Sequence, residues 1–147
     1  MDALGALSPV FDKGYGTLTA GNSSPLTDGA SAVLLMRYDK AKALGLEPIV
    51  KIRAYRSGGL DPAYMGLGPV PAVKKVLAAT GMTLDDIDMI ELNEAFAAQA
   101  IGCMRKLDIP VDKRNPLGSG ISLGHPIGCK GARQMVTDIN QMTRTSL

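Results

Sequence analysis

Gly118-Ser119-Gly120-Ile121-Ser122-Leu123-Gly124-His125-Pro126-Ile127-Gly128-Cys129-Lys130-Gly131-Ala132-Arg133 is the stretch that decides how the rest of the chain is read. It holds the only histidine, one of the two cysteines and five of the 17 glycines. Alternation over Ile121-Ser122-Leu123 predicts a short extended segment, after which Gly124 lets the backbone turn tightly. Pro126 fixes its own φ and biases His125 away from the α region, which sets the imidazole at a rigid, non-helical corner. A helix from about Cys129 to Met142 is expected next. It opens among glycines with free backbone N–H groups, an end that favours anions and developing negative charge.

Taken alone, the stretch admits several readings. A histidine ahead of a proline serves as a plain turn residue or as a catalytic one. A phosphate loop needs Gly-x-x-x-x-Gly-Lys-Ser/Thr, but Gly124 and Gly128 are too close and Gly131 after Lys130 brings no hydroxyl. The dinucleotide fingerprint fails because Gly118, Gly120 and Gly124 have the wrong last interval. His125 and Cys129 suggest a Cys–His pair or part of a metal site, yet two ligands do not make a zinc site, and no metal is expected.

Upstream, Asp108 to Arg114 is a polar connection, preceded by a helix with Ala97, Ala100, Ile101, Met104 and Leu107 on one face. Met89-Ile90-Glu91-Leu92 reads as a strand that delivers Asn93-Glu94-Ala95-Phe96 to the start of that helix. Asn93 is placed at the N-cap, where it either caps its own helix or acts on a ligand. A strand end that opens onto a helix N-terminus is where α/β folds bind ligands. The acids of Thr83-Leu84-Asp85-Asp86-Ile87 suit a capped helix start rather than paired acid–base catalysis.

Further back, Met65-Gly66-Leu67-Gly68-Pro69-Val70-Pro71 leads into a helix over about 72–79. Ile49 to Tyr55 alternates like a strand whose Lys51 and Arg53 face solvent or mark an edge. Asp39 to Leu44 reads as a short helix stopped by Gly45. Ala32-Val33-Leu34-Leu35-Met36 is a continuous apolar run, the pattern of a strand covered on both faces, which argues for a three-layer α/β/α arrangement. Thr17 to Gly29 is an irregular loop, and in the opening segment Leu4, Leu7, Val10 and Phe11 are available to pack.

A length of 147 residues suggests one domain. The net charge of +2, without a basic run interleaved with aromatics, argues against a nucleic-acid partner. Cys103 and Cys129 form no disulfide framework and fit a reducing compartment. No apolar stretch is long enough to predict a membrane span. Met1-Asp2-Ala3-Leu4 does not open a signal peptide, and Thr145-Ser146-Leu147 is not the Ser-Lys-Leu peroxisomal address, so a cytoplasmic location is expected.

Five segments, in order, carry a family resemblance: Gly16-Thr17-Leu18-Thr19-Ala20-Gly21-Asn22-Ser23-Ser24, Thr27-Asp28-Gly29-Ala30, Met65 to Pro71, Asn93-Glu94-Ala95-Phe96 and Gly124-His125-Pro126-Ile127-Gly128. With them the chain resembles the C-terminal half of a thiolase, the acyltransferases that cleave or condense 3-oxoacyl-CoA, from about Leu4 through Met142. The resemblance implies that His125 accepts the proton of a nucleophilic cysteine and hydrogen-bonds the thioester oxygen. It implies that Asn93 holds a water beside that oxygen, forming one oxyanion hole with His125, and that Phe96 and Met65 line the acyl and pantetheine end of the pocket. Coenzyme A enters as substrate, with no covalently bound cofactor, and the partner is a second copy or a complementing thiolase chain.

Departures from the family qualify those expectations. The family nucleophile lies in an N-terminal half, and its second cysteine in a Cys-x-Gly-Gly-Gly segment after the last helix; neither Cys103 nor Cys129 matches either position. Lys130 stands where the family usually has a small hydroxyl residue, and either disturbs the helix opening or points outward. Leu117 and Ser119 vary a loop usually richer in Asn and Gly. The implied fold is one partial thiolase C-terminal domain over 1–147, a three-layer α/β/α domain whose mixed sheet lacks its last two strands. A chain of that kind is expected to be inactive alone, as a fragment, a truncated paralogue or a piece completed by another chain. The alternatives are a non-catalytic CoA-binding or interaction module and, disfavoured by the glycine spacings, a nucleotide-binding domain.

Overall fold

The computed structural model describes residues 2–145; Met1 and Ser146-Leu147, and with them parts of both ends read above for targeting signals, lie outside the described residues. The helices are α1 (Asp2–Gly5), α2 (Tyr38–Ala43), α3 (Pro69–Thr80), α4 (Ala97–Leu107), α5 (Gly120–Leu123) and α6 (Lys130–Thr145), with 3-10 turns at Ala20–Asn22, Pro62–Leu67 and Ile127–Cys129. None of them is long and apolar enough to cross a membrane.

Local chemistry explains the two central helices. Pro69 and Pro71 start α3 in its first turn, where a missing N–H costs nothing, so the helix begins three residues before the expected 72. It ends at Gly81, whose φ of 67° is the left-handed cap that only glycine adopts freely. α4 closes on Asp108, also left-handed, whose amide donates to the Met104 carbonyl. Arg105 and Lys106 lie in its last turn, where cations suit the helix dipole. α4 packs against α3 and the Pro62–Leu67 turn. Its inward residues Ala100 and Cys103 join Leu92 in a small core, flanked by Leu67, Val70, Ile90 and Met104.

Three local expectations are corrected. Ile121 to Leu123 is not a strand but part of α5, because Ser119 and Ser122 form a reciprocal cap that favours a helical turn over extension. Asn93 is not the N-cap of α4; Phe96 occupies that position, leaving Asn93 three residues outside the helix. Thr83 to Ile87 is a turn, not a helix start, with the Asp86 carboxylate accepting from the Thr83 amide and hydroxyl at 2.8 and 2.9 Å.

The strands differ most from expectation. Among the described residues, the mixed sheet of the three-layer α/β/α arrangement is represented only by isolated bridges. Ser23 pairs antiparallel with Phe96, Leu26 parallel with His125, and Ile90 parallel with Arg114. Ala32 to Met36 and Ile49 to Tyr55 form no ladder, and Leu34 and Ile49 are 82% and 76% exposed. A strand buried on both faces needs neighbours along both edges and layers above and below. No described segment supplies them to these two runs. The three bridges nevertheless gather residues 23–26, 90–96, 114 and 125, the segments around Asn93 and His125.

Candidate functional site

His125 is fixed through the peptide that joins it to Gly124. Its N–H donates to the Pro25 carbonyl at 3.2 Å, while the Gly124 carbonyl accepts from Lys130 Nζ at 2.9 Å. Gly124 has a φ of 101°, and a Cβ there would stand 2.7 Å from Thr27 Oγ1, so conformation and space both require glycine. Lys130 is 6% exposed: it points inward, correcting the expectation that it points outward.

Asn93 is held by its neighbours rather than by a helix cap. Asn115, at a φ of 47°, uses its amide like a strand edge: Oδ1 accepts from the Leu92 N–H and Nδ2 donates to the Leu92 carbonyl, each at 2.8 Å. The fully buried Ser119 hydroxyl donates to the same carbonyl at 3.2 Å. Glu94 pairs with Arg114 at 2.5 Å and accepts from Asn115 Nδ2 at 3.2 Å. α5 reaches this platform through Gly120, where a Cβ would lie 2.6 Å from the Glu94 carbonyl oxygen and 2.8 Å from Asn93 Oδ1.

Asn93 Nδ2 and His125 Nε2 thereby come to 3.5 Å. Asn93 Oδ1 and His125 Nδ1 are buried without a hydrogen-bond partner among the described residues. Burial, and then the nearby Lys130 ammonium, lower the His125 pKa below its ordinary value, so the imidazole is neutral at pH 7. A neutral imidazole whose Nε2 faces an amide N–H presents a lone pair. It can take a proton and then, as imidazolium, donate to an oxygen bearing negative charge.

The other two residues singled out above are placed differently. Phe96 lies on the same segment as Asn93 and meets Phe11 edge-on, with ring centroids 5.9 Å apart. Met65 is 76% exposed on the Pro62–Leu67 turn. The structure therefore joins His125 to Asn93, sets Phe96 close in sequence, and leaves Met65 largely in solvent. Among the described residues no three His, Cys, Asp or Glu side chains gather as a metal site. Cys103 is fully buried, with Sγ 3.3 Å from the Gly66 carbonyl, and burial raises its pKa and keeps it a thiol. Cys129 is half-buried, and its sulfur faces Gly29. Asn115, Ser119, Gly120 and Lys130 are the supports that sequence reasoning missed. An Asn directly before Pro116 and shortly before Gly118 was the available signal for a special backbone position.

The chain is similar to known proteins along nearly its whole length. The family described as "Thiolase, C-terminal domain" matches residues 46–147, and "Thiolase, N-terminal domain" matches residues 1–39. The 3-ketoacyl-CoA thiolase of Aliivibrio salmonicida is 53% identical over 99% of this chain and 38% of its own length. Rat peroxisomal 3-ketoacyl-CoA thiolase B is 51% identical over 98% of this chain and 34% of its own. Among solved structures, the Bacillus anthracis acetyl-CoA acetyltransferase superposes with a TM-score of 0.94 at 48% identity, covering 99% of this chain and 37% of that one. The dimeric peroxisomal thiolase of Saccharomyces cerevisiae gives 0.92 at 46% identity, over 95% and 36%. Human mitochondrial 3-ketoacyl-CoA thiolase in complex with CoA gives 0.95 at 41% identity, over 99% and 36%. The chain thus spans little more than a third of the length of these relatives. With a family match over more than half of its residues and a thiolase-like fold, the chain belongs to the thiolase family.

Proposed function

We propose that this chain supplies the histidine and asparagine of an acyltransferase site that cleaves 3-oxoacyl-CoA by thiolysis or runs the reverse Claisen condensation of acetyl-CoA. The observation that carries the reading is the approach of Asn93 Nδ2 to His125 Nε2 at 3.5 Å, with the imidazole neutral. In thiolysis, His125 Nε2 takes the proton of a cysteine thiol, and the thiolate adds to the 3-oxo carbonyl carbon. The carbon–carbon bond then breaks, and its electrons leave as the enolate of acetyl-CoA, which takes up at its α-carbon the proton given up by the cysteine. The acyl group stays on the cysteine as a thioester until the thiol of coenzyme A takes it over and returns a proton to the cysteine. The imidazolium N–H and a water held by Asn93 converge on the enolate oxygen and lower the cost of that charge. Phe96 and Met65 face the acyl and pantetheine portions of the substrate, and coenzyme A is the second substrate.

Neither cysteine of these 147 residues acts as the nucleophile in this reading. Cys103 is sealed in the core, and Cys129 faces Gly29. The nucleophile comes from other sequence, such as a complementing thiolase chain, and the 147 residues alone are inactive. The CoA complex and the dimer among the similar structures support a CoA substrate and an oligomeric partner.

Thiolytic cleavage of acetoacetyl-CoA, followed by loss of enolate absorbance, tests this for the chain alone and with a thiolase N-terminal half added. The expected outcome is no turnover alone and turnover on complementation, abolished by His125→Ala. Turnover by the chain alone would overturn the assignment of an outside nucleophile. Calorimetric CoA binding without turnover in either case would favour a non-catalytic CoA-binding module.

A further inference from the structure

We propose that Lys130 is a positioning residue for His125, clamping the Gly124–His125 peptide from inside the chain and placing a fixed cation beside the imidazole. The peptide is held on both of its polar ends. Pro25 accepts from its N–H at 3.2 Å, and Lys130 donates to its C=O at 2.9 Å. A peptide plane anchored at both ends cannot rotate without breaking one of two hydrogen bonds. Rotation of that plane would swing the His125 side chain away from Asn93.

The ammonium is an unusual choice for this task. A lysine 6% exposed has given up nearly all of its hydration, and lysines are seldom buried unless paired. Here burial, and next the Arg133 guanidinium, lower the Lys130 pKa; Glu91 and Glu94 from the segment before α4, and Cys129 from the preceding turn, act in the opposite sense. Those two carboxylates oppose the lowering and favour the charged form. The Lys130 ammonium is also the charged group that disfavours protonation of His125, adding to the effect of burial. One side chain therefore serves two ends: it fixes where the imidazole points, and its charge keeps Nε2 free to accept a proton.

The catalytic meaning of this clamp rests on the reading of His125 as a proton acceptor, but its test does not. Because His125 is the only histidine, its ring signals can be followed through a pH titration by NMR without assignment ambiguity. In Lys130→Met, which keeps the apolar stem and loses both charge and donor, the His125 midpoint is expected at higher pH than in the unaltered chain. Lys130→Gln, which keeps a donor but no charge, should show the same direction of shift. Identical midpoints in all three proteins would overturn the proposal, whatever the chain does with acetoacetyl-CoA. Should neither variant fold, reductive methylation of the unaltered chain decides. Lys130 is expected to be modified at least tenfold more slowly than exposed lysines such as Lys40 and Lys51; equal rates would show that the ammonium is not held in the core and would overturn the clamp.

Discussion

The segments around Asn93 and His125 and the more apolar segment from Ala32 to Tyr55 behave in opposite ways. The first is tied together by side chains that reach the backbone: Asn115 and Ser119 to Leu92, Lys130 to Gly124, Ser24 to the Ala95 carbonyl. The second carries Leu34, Leu35, Ile49 and Ile52 on its surface and takes part in no bridge. The difference lies in where each finds its partners. Single polar side chains, some from a distant part of the chain such as Ser24, complete the first, whereas extended runs need whole neighbouring strands, which no described segment provides. The approach of His125 to Asn93 is therefore formed in a chain whose described residues show only isolated bridges.

The sharpest way to break the first region is Gly120→Val. The added Cβ would meet the Glu94 backbone oxygen at 2.6 Å, and a backbone atom cannot move aside as a flexible side chain can. A loss of about 3 kcal/mol in denaturant unfolding is expected, together with separation of His125 from Asn93. A change below about 0.5 kcal/mol would mean that the close approach of α5 does not hold the platform.

A smaller and opposite effect is expected behind the platform, where Glu91, Arg133 and Asp138 meet. Burial, and then the charge of Glu91, raise the Asp138 pKa from 3.8 to about 6, and Asp138 Oδ1 has no hydrogen-bond partner among the described residues. Between pH 3.8 and about 6 the folded chain holds more protons than the unfolded one, so stability falls as pH rises through that window. Asp138→Asn removes this slope. After allowance for solvent near a half-buried carboxylate, the variant should be more stable than the parent by about 1 kcal/mol at pH 7.5, with the gain gone at pH 3.5. Thermal or urea unfolding at the two pH values measures it. An equal gain at both would show that packing, not charge, is responsible.

How much of this was legible in the sequence follows from the range of the forces involved. The α3, α4 and α6 helices could be read because apolar spacing, prolines at the start and caps at the end are local signals. The pairing of His125 with Asn93 was legible only through the family resemblance, since 32 residues separate them and no periodicity links them. α5 was misread because two alternating residues are too few to outweigh a serine pair at cap spacing. The inward turn of Lys130 was not readable at all. A lysine at a helix start is ordinarily solvated, and what makes its burial tolerable includes Glu91 and Glu94, nearly 40 residues upstream, beside the Gly124 carbonyl it donates to. The strands were legible only in part for a related reason: apolar runs state a preference for extension but say nothing of whether a neighbour is present.

The smallest expected effect on stability, and the one that separates the two regions most directly, belongs to Leu34→Lys. Leu34 is 82% exposed, so a charge there removes almost no buried area, and unfolding should shift by less than about 0.5 kcal/mol. In a strand covered on both faces the same change would bury an ammonium among apolar side chains and cost several times more. The substitution should also weaken self-association, because an extended apolar run with free edges is a template for pairing and a lysine on such an edge opposes it. Urea unfolding and light scattering, run on the same preparation, read the two consequences separately. A near-neutral stability with reduced scattering places the 32–36 run outside the folded unit that carries His125. A large loss of stability would mean instead that the run is already packed in the chain as it stands, and that the site and the unladdered segment fold as one.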